Sequence, residues 1–242
     1  MKKIRVWATK EEIDAAVLTE ATVVVMDVLL ATTTMVTMVE NGAKCVFPVA
    51  DVQEARWLKQ FLAPESSLFG GEEEGTPIPD FDCGPFPHEF SPDRVTGKDV
   101  VFVTTNGTRA VRRAESAREL LIANLRNAPS VAQYLENTAS EEVYLICAGS
   151  HGHLSLEDML CAGVILSHLD LEGVSLNDAA RVARYGLAHA ETDMLQWIQQ
   201  GRVGRWFMKN GKEHVLRFVA DVGASQTLVS VVNRQLRRME RR

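Results

Sequence analysis

Short apolar runs rich in β-branched residues alternate along this chain with segments whose apolar positions recur at helical spacing. That alternation is typical of βαβ units, in which parallel strands are joined by helices. The runs predict strands over residues 22–27, 44–48, 67–69, 99–103, 119–123 and 143–147. The intervening segments predict helices over residues 34–40, 52–63, 107–117, 130–139 and 156–169.

The pattern assigns residues 1–170 to an α/β core. It predicts a mainly parallel sheet with helices on both faces, a three-layer α/β/α arrangement. Residues 171–242 predict a mostly helical C-terminal part packed on the same domain, with helices over 175–199 and 210–220. Residues 227–232 are β-branched instead, which is typical of a strand.

One segment interrupts the alternation. Residues 70–93, here called the acidic loop, are rich in proline, glutamate and aspartate and predict neither a helix nor a central strand. Long loops in compact domains are usually functional or disordered. Because Phe81, Phe86 and Phe90 lie within it, we expect an ordered loop that forms one wall of an active site, although a simple linker would have the same composition.

Composition narrows the class of protein further. A chain of 242 residues with a net charge of −6 lacks the excess of basic residues typical of nucleic-acid-binding domains. The basic tail over 235–242 is interpreted as a solvated chain end. No segment is apolar and long enough for a membrane span, and the four scattered cysteines match neither a zinc site nor a disulfide framework. We therefore expect a cytoplasmic protein with no nucleic-acid or membrane partner; the sequence leaves assembly into a homo-oligomer open.

The first candidate motif is V-V-V-M-D-V-L-L-A-T-T-T, in which an apolar strand ends at Asp27 and the hydroxyls of Thr32, Thr33 and Thr34 open a helix. A carboxylate at a strand end, followed by free helical N–H groups, suits a divalent cation beside a phosphate. An ordinary turn with a threonine N-cap explains the same residues equally well.

The second motif is V-V-F-V-T-T-N-G-T-R-A, where a strand runs into a glycine-containing turn and a helix. Glycine allows close approach of an anion to the backbone, and hydroxyl and amide groups donate hydrogen bonds to it. We interpret the turn as a phosphate cradle, with an ordinary polar turn as the alternative. It is not a P-loop, since no G-x-x-x-x-G-K-[ST] occurs in the chain. Its candidate residues are Thr104, Thr105, Asn106, Gly107, Thr108 and Arg109.

The third motif is V-Y-L-I-C-A-G-S-H-G-H-L-S-L-E-D, which joins a strand to an acidic helix start through a loop with two histidines. His151 and His153 are candidates for binding a substrate anion or for general acid catalysis, or are surface histidines. Glu157 and Asp158 lie in the first helical turn, where carboxylates also complement the helix dipole without any chemical role.

These blocks, together with G-G-E-E-E-G and F-D-C-G between them, resemble the 2-phosphosulfolactate phosphatase family over most of residues 1–165. The resemblance implies an α/β enzyme that uses Mg²⁺ to hydrolyse a small phosphate monoester bearing a sulfonate and a carboxylate. It also implies that the product, sulfolactate, lies on the route to coenzyme M in some organisms.

The chain departs from the family pattern at two places. Leu30 stands where an arginine usually follows D-V-L, and Pro85-Phe86-Pro87 stand where the loop usually reads N-S-P. Replacing arginine by leucine removes a bidentate anion clamp. Arg109, His151 or His153 are then the candidates to replace that clamp.

We therefore expect Mg²⁺ on Asp27 together with Glu72 or Asp158, because Mg²⁺ needs only one or two protein carboxylates besides water and phosphate. Asp27, Asn106 and Arg109 are the predicted catalytic residues. The predicted substrate-binding residues are Thr32, Thr33, Thr34, Thr104, Thr105, Gly107, Thr108, His151 and His153. Two rival hypotheses remain: a haloacid-dehalogenase-like phosphatase, which would need an aspartate in place of Leu29, and a non-catalytic anion-binding paralogue.

Overall fold

The structure is a computed structural model that describes residues 1–190 and 193–240. Residues 191–192 of the predicted helix 175–199 and residues 241–242 of the basic tail lie outside the described residues. All four cysteines are buried and carry free thiols. Within the described ranges, no helix is both long enough and apolar enough to cross a membrane.

The strands of the described residues form one eleven-stranded sheet. They are β1 (Lys3–Trp7), β2 (Thr22–Met26), β3 (Cys45–Val49), β4 (Ser67–Glu73), β5 (Thr76–Pro77), β6 (Asp99–Val103), β7 (Glu119–Ala123), β8 (Glu142–Cys147), β9 (Ser175–Leu176), β10 (Val229–Val232) and β11 (Gln235–Arg238). The helices are α1 (Ala31–Glu40), α2 (Val52–Leu58), α3 (Pro92–Val95), α4 (Gly107–Arg113), α5 (Ala128–Glu136), α6 (Leu156–Ser167), α7 (Asp178–Ala190), α8 (Met194–Gln200), α9 (Arg202–Lys209) and α10 (Glu213–Val219).

The sheet consists of two parallel groups joined by an antiparallel hairpin. Its strand order is β5-β4-β6-β3-β11-β10-β7-β2-β8-β1-β9. Strands β4, β6 and β3 are parallel to one another, as are β7, β2, β8, β1 and β9. The hairpin β10–β11 pairs antiparallel with β7 on one side and with β3 on the other. The predicted mainly parallel α/β sheet is confirmed.

Side chains of one strand alternate between two apolar layers, which is why both faces carry helices. Val24 and Met26 of β2 pack in a cluster with helices α5 to α10, whereas Val23 and Val25 pack with α1 and α4 on the opposite face. The near-continuous apolar run of β2 follows from this, because a strand covered on both faces has no solvent-facing position. The predicted three-layer arrangement with a C-terminal helical part is confirmed.

Two predictions about the chain ends require correction. The basic tail was expected to be solvated, but Gln235–Arg238 form strand β11 within the sheet, where Leu236 is buried and pairs with Val46. Strand β1 was not predicted, although Ile4 and Val6 alternate with polar residues and are both buried. In each case a short run with period-two alternation is hidden by neighbouring charged residues.

The C-terminal helical region is more divided than predicted. The helix expected over 175–199 is replaced by strand β9, helix α7 and helix α8. The helix expected over 210–220 corresponds to α10, and α9 precedes it. Asp193 separates α7 from α8 because its carboxylate caps the new helix by accepting from the Gln196 N–H at 2.9 Å.

The acidic loop is ordered, as expected, but it begins as a strand. Gly70 and Gly71 continue β4 beside β6. Gly71 has a positive φ of +134, and its Cα lies so close to β6 that an added Cβ would be 1.8 Å from the Val103 carbonyl oxygen. Glycine is therefore required there. Farther along, Phe90 is completely buried and packs edge-on against Phe102 at 5.7 Å between ring centroids.

Candidate active site

The site is organised around Asp27, which follows β2 at the carboxyl edge of the sheet and is buried. The Thr32 hydroxyl accepts from the Asp27 N–H at 3.0 Å and donates to the Asp27 carbonyl at 2.8 Å, which fixes the turn into α1. The carboxylate lies against the start of α4, since a methyl group at Gly107 would come within 2.6 Å of Asp27 Oδ2. The first and second motifs therefore meet at the Asp27 carboxylate.

The third motif adds two further buried carboxylates. Asp158 Oδ1 accepts from the Val28 N–H at 2.8 Å and Oδ2 accepts from the Gly149 N–H at 3.2 Å, so this side chain joins the turns that follow β2 and β8. Glu157 Oε1 accepts from the Ser155 hydroxyl at 2.8 Å, whereas its Oε2 is buried without a hydrogen-bond partner among the described residues. Unpartnered buried carboxylate oxygens are rare because desolvation makes them costly.

The electrostatics of this edge are dominated by negative charge. Burial, together with the nearby charges of Glu157 and Glu72, raises the pKa of Asp27 to about 7, and the charge of Lys10 opposes this rise. Burial also raises the pKa of Glu157 and, with the charges of Asp27 and Glu157, holds the pKa of Asp158 well above its usual range. A positive ligand would relieve this repulsion.

Glu72 fastens the acidic loop to the second motif. Its Oε1 accepts from the Thr105 N–H at 2.7 Å, and its Oε2 accepts from the Thr105 hydroxyl at 2.9 Å and from the Gly75 N–H at 2.6 Å. The Thr105 hydroxyl in turn accepts from the Glu74 N–H at 2.7 Å. The loop predicted to form a wall is thus held against the turn predicted to bind phosphate.

The hydroxyls of the other candidate threonines already make hydrogen bonds inside the protein. Thr33 donates to the Val28 carbonyl and Thr34 to the Pro85 carbonyl, at 2.8 and 2.7 Å. Thr104 and Thr108 cap each other, with each hydroxyl accepting from the other's N–H at 3.1 and 2.9 Å. Because these hydroxyls are already hydrogen-bonded within the protein, an anion at these turns would be bound by backbone N–H groups.

Lys10 is a site residue that the sequence analysis missed. It follows β1, is only 6% exposed, and its Nζ donates to Asn106 Oδ1 at 2.8 Å and to Glu11 Oε1 at 2.9 Å. It was overlooked because β1 was not predicted as a strand. The alternating run K-I-R-V-W followed by the capping sequence T-K-E-E is the signal that could have placed it at a strand end.

The remaining candidate residues lie farther out. Arg109 Nε donates to the Ala50 carbonyl at 3.3 Å, beyond the end of β3. His151 has φ +51, is exposed, and has its Nδ1 3.9 Å from Glu74 Oε2. His153 is also exposed. None of these three side chains has a hydrogen bond to Asp27 among the contacts of residues 1–190 and 193–240.

The C-terminal helices close the site from one side. Arg202, at the start of α9, donates from Nη2 to the Ser150 carbonyl at 3.1 Å. Its charge is close enough to Glu157 to oppose part of the rise in pKa that burial causes there. Phe207 packs against Phe86 of the acidic loop at 6.1 Å. Leu30, which replaces the arginine expected from the resemblance, is buried in the same apolar cluster as Phe207.

A preformed metal cage is not present in the part of the chain that the structure describes: no three His, Cys, Asp or Glu side chains are grouped to hold a metal ion. Mg²⁺ does not require such a cage, since it keeps several waters and binds through one or two carboxylates. The unpartnered Glu157 Oε2 and the repulsion around Asp27 fit a cation at this edge.

Comparison with known proteins gives one consistent result. Residues 7–234 match the family model described as 2-phosphosulpholactate phosphatase. A probable 2-phosphosulfolactate phosphatase of Symbiobacterium thermophilum is 38% identical over 202 residues, which is 83% of this chain and 86% of the relative. A protein of the same description from Clostridium perfringens strain 13 is 32% identical over 98% of this chain and 97% of its own length. The chain belongs to the 2-phosphosulpholactate phosphatase family.

Proposed function

We propose that this protein is a cytoplasmic, magnesium-dependent phosphatase that hydrolyses 2-phosphosulfolactate to sulfolactate and inorganic phosphate. Family membership supports the reaction and the substrate class. The observation that carries the proposal is the contact between the Asp27 carboxylate and the backbone at Gly107, where a Cβ would come within 2.6 Å of Oδ2. A phosphoryl group held at that turn would lie directly beside the carboxylate.

Asp27, with Glu72 or Asp158, would hold Mg²⁺, and Glu157 Oε2 is a further oxygen that faces this edge without a hydrogen-bond partner among the described residues. The metal ion would supply positive charge to the phosphoryl oxygens. The protein itself positions these carboxylates by burial and by backbone N–H donors. In the reaction the bond between phosphorus and the substrate's C2 oxygen breaks, a water oxygen ends on phosphorus, and the released oxygen takes up a proton. Phosphoryl transfer of this kind depends mostly on positioning and charge stabilisation.

Asp27 has two compatible roles in this reaction, either holding the metal ion or attacking phosphorus itself to form an aspartyl-phosphate. Rapid quenching during turnover separates them. The nucleophilic role would be established by an acid-stable phosphoprotein from which hydroxylamine releases phosphate. The Asp27→Asn protein should not form it. Turnover without any trapped phosphoprotein would leave Asp27 as a metal ligand.

The sulfonate and carboxylate of the substrate need cations at the other end of the site. We propose Arg202 for this role, because its Nη2 donates to the Ser150 carbonyl at the loop between β8 and α6 and the side chain remains exposed. Arg202→Ala is expected to raise KM for 2-phosphosulfolactate roughly 10-fold or more, without changing KM for p-nitrophenyl phosphate, which lacks both the sulfonate and the carboxylate. Lys209→Ala, an exposed change on the same helix, is the control.

The direct test is phosphate release from a panel of monoesters with and without Mg²⁺. The panel contains 2-phosphosulfolactate, phospholactate and p-nitrophenyl phosphate, and Asp27→Asn protein serves as the negative control. We expect Mg²⁺-dependent release that is fastest with 2-phosphosulfolactate. Folded protein that binds phosphate but releases none from any monoester would instead establish the non-catalytic anion-binding alternative. Membership of the 2-phosphosulpholactate phosphatase family disfavours the haloacid-dehalogenase alternative.

A further inference from the structure

Lys10 has an environment that a purely structural lysine does not need. Its side chain is only 8% exposed, although its carboxylate partner Glu11 is 46% exposed. A lysine that served only to pair with Glu11 would remain in solvent with it, since exposed pairs contribute little. Instead the ammonium is held beneath the surface, close enough to Asp27 for its charge to lower the pKa of that carboxyl.

The backbone of Lys10 is fixed from two sides. Its N–H donates to the Ala148 carbonyl after β8 at 3.2 Å, and its carbonyl accepts from Arg113 Nη1 of α4 at 3.1 Å. The turn itself is closed by Glu12, whose Oε1 accepts from the Ala8 and Thr9 N–H groups. Because Nζ itself is held by Asn106 Oδ1 and Glu11 Oε1, the ammonium is positioned before any ligand arrives, which lowers the entropic cost of binding one.

The hydrogen bond between Lys10 and Asn106 also decides which end of the Asn106 amide is available. An ammonium can only donate, so the Asn106 atom at 2.8 Å must be the carbonyl oxygen. The NH₂ end of Asn106 is then the end free to donate to a ligand. Lys10 and Asn106 together offer an ammonium and an amide donor beside the Asp27 carboxylate and the Gly107 backbone.

We infer that Lys10 binds the phosphoryl oxygens of the substrate and of inorganic phosphate, together with the Asn106 amide that it orients. Binding to substrate rests on the proposed function; binding to inorganic phosphate does not. The positive charge would stay in place as negative charge grows on the phosphoryl oxygens, so Lys10 would contribute to kcat as well as to affinity.

The test is titration calorimetry with inorganic phosphate, in buffers with and without Mg²⁺. Lys10→Met is expected to weaken phosphate binding roughly 10- to 100-fold, the range of one charge-assisted hydrogen bond. Lys10→Arg keeps the charge and is expected to recover part of that loss. Lys44→Met removes an exposed lysine that pairs with Asp99 at 3.2 Å, and it is the control expected to bind phosphate like the wild type.

A second variant covers the case in which Lys10→Met does not fold. In Asn106→Asp the side chain keeps its shape and still accepts a hydrogen bond from Lys10, but a negative oxygen replaces the NH₂ donor. Phosphate binding should therefore fall at least 10-fold, while the melting temperature should be preserved. Wild-type phosphate affinity in folded Lys10→Met or Asn106→Asp protein would overturn the inference. So would a wild type that shows no saturable phosphate binding at millimolar concentrations.

Kinetics separate this inference from the proposed function. If the enzyme hydrolyses monoesters and Lys10→Met lowers kcat and weakens inhibition by phosphate, both stand. If the wild type binds phosphate through Lys10 but hydrolyses no monoester, the inference stands and the proposed function fails. If hydrolysis and phosphate inhibition are unchanged in Lys10→Met, the function stands and Lys10 is only a structural cation.

Discussion

At the scale of single residues, the site is a set of buried carboxylates whose charges repel one another. Asp27, Glu157 and Asp158 all have raised pKa values, with burial as the largest cause for each. Such a site costs stability when no cation is present, and functional sites commonly carry this kind of cost. The cost gives the site a measurable pH dependence.

The pH dependence has a definite sign for Asp27. Its pKa rises from an ordinary value of 3.8 to about 7 in the folded protein, so between these values the folded state holds a proton that the unfolded state has lost. Stability of the metal-free protein should therefore fall as pH rises through this window. Above about pH 7 the penalty of the buried charge is complete.

Asp27→Asn removes this penalty while it removes the reactive carboxylate. We expect the variant to lose Mg²⁺-dependent hydrolysis and to melt several degrees above the wild type at pH 8, since roughly 1 kcal/mol corresponds to about 2–4 °C for a protein of this size. At pH 5 the advantage should shrink. Melting curves of both proteins in EDTA at pH 5 and pH 8 test this expectation. A difference in melting temperature that is the same at the two pH values would show that Asp27 does not titrate in this window.

At the scale of elements, strands β4 and β5 form an antiparallel hairpin at the start of the acidic loop, and Glu72 contributes most of the hydrogen bonds that join it to the strand-end turn at Thr105. Glu72 accepts three hydrogen bonds from Thr105 and Gly75, whereas Glu73 is exposed. Glu72→Gln should lose part of these bonds, since an amide NH₂ cannot accept, and should raise the Mg²⁺ concentration needed for half-maximal activity. Glu73→Gln is the matched control. Equal effects from both variants would indicate only a general loss of surface charge.

The start of α4 offers a second element-scale test. A Cβ at Gly107 would lie 2.4 Å from the Ala31 Cβ and 2.6 Å from Asp27 Oδ2, so Gly107→Ala should displace the Asp27 carboxylate and Gly107→Val should displace it further. Thr108→Ala loses only the hydroxyl that accepts from the Thr104 N–H at 2.9 Å and donates to the Thr104 carbonyl at 3.0 Å, a loss of about 1 kcal/mol.

Thermal protection by phosphate measures this difference. Inorganic phosphate at a hundredfold excess over its Kd should stabilise the wild type by roughly 2.7 kcal/mol, and Thr108→Ala should retain that gain. Folded Gly107→Ala and Gly107→Val proteins should lose it. Circular dichroism establishes that they fold. Undiminished protection in both glycine variants would place the anion elsewhere.

At the scale of the whole molecule, the last strands join the two parallel halves of the sheet. Leu236 of β11 is 2% exposed and faces the cluster that contains α1 and α4. Leu236→Ala should lower the free energy of unfolding by about 2–5 kcal/mol, the range for a buried leucine. Arg238→Ala, at the exposed end of the same strand, should change it by less than about 0.5 kcal/mol.

Urea unfolding monitored by circular dichroism compares the two variants. A single cooperative transition shifted to lower urea in Leu236→Ala would show that the hairpin and the parallel strands unfold together. Two separate transitions, or equal effects of the two substitutions, would show that β11 adds little to the sheet.

The sequence by itself determined the class of fold and the three strand-end motifs. Strands β2, β6 and β8 are covered on both faces, so each appears as an unbroken apolar run, and the polar residues that follow mark the carboxyl edge. The apolar runs can be recognised locally, because a strand that is buried on both faces needs apolar side chains at successive positions. The ordered acidic loop was likewise indicated by its three phenylalanines.

The tertiary structure alone decided which side chains of those motifs face one another. Asn106 and Asp27 come from motifs that the sequence does show, but Lys10 joins them only because β1 pairs with β8, far away in the chain. The placement of β11 beside β3 likewise depends on a pairing between segments that are far apart in the chain, since Leu236 pairs with Val46. Periodicity is a property of neighbouring residues, whereas strand order and the partners of a buried charge are set by contacts between segments that no local pattern connects.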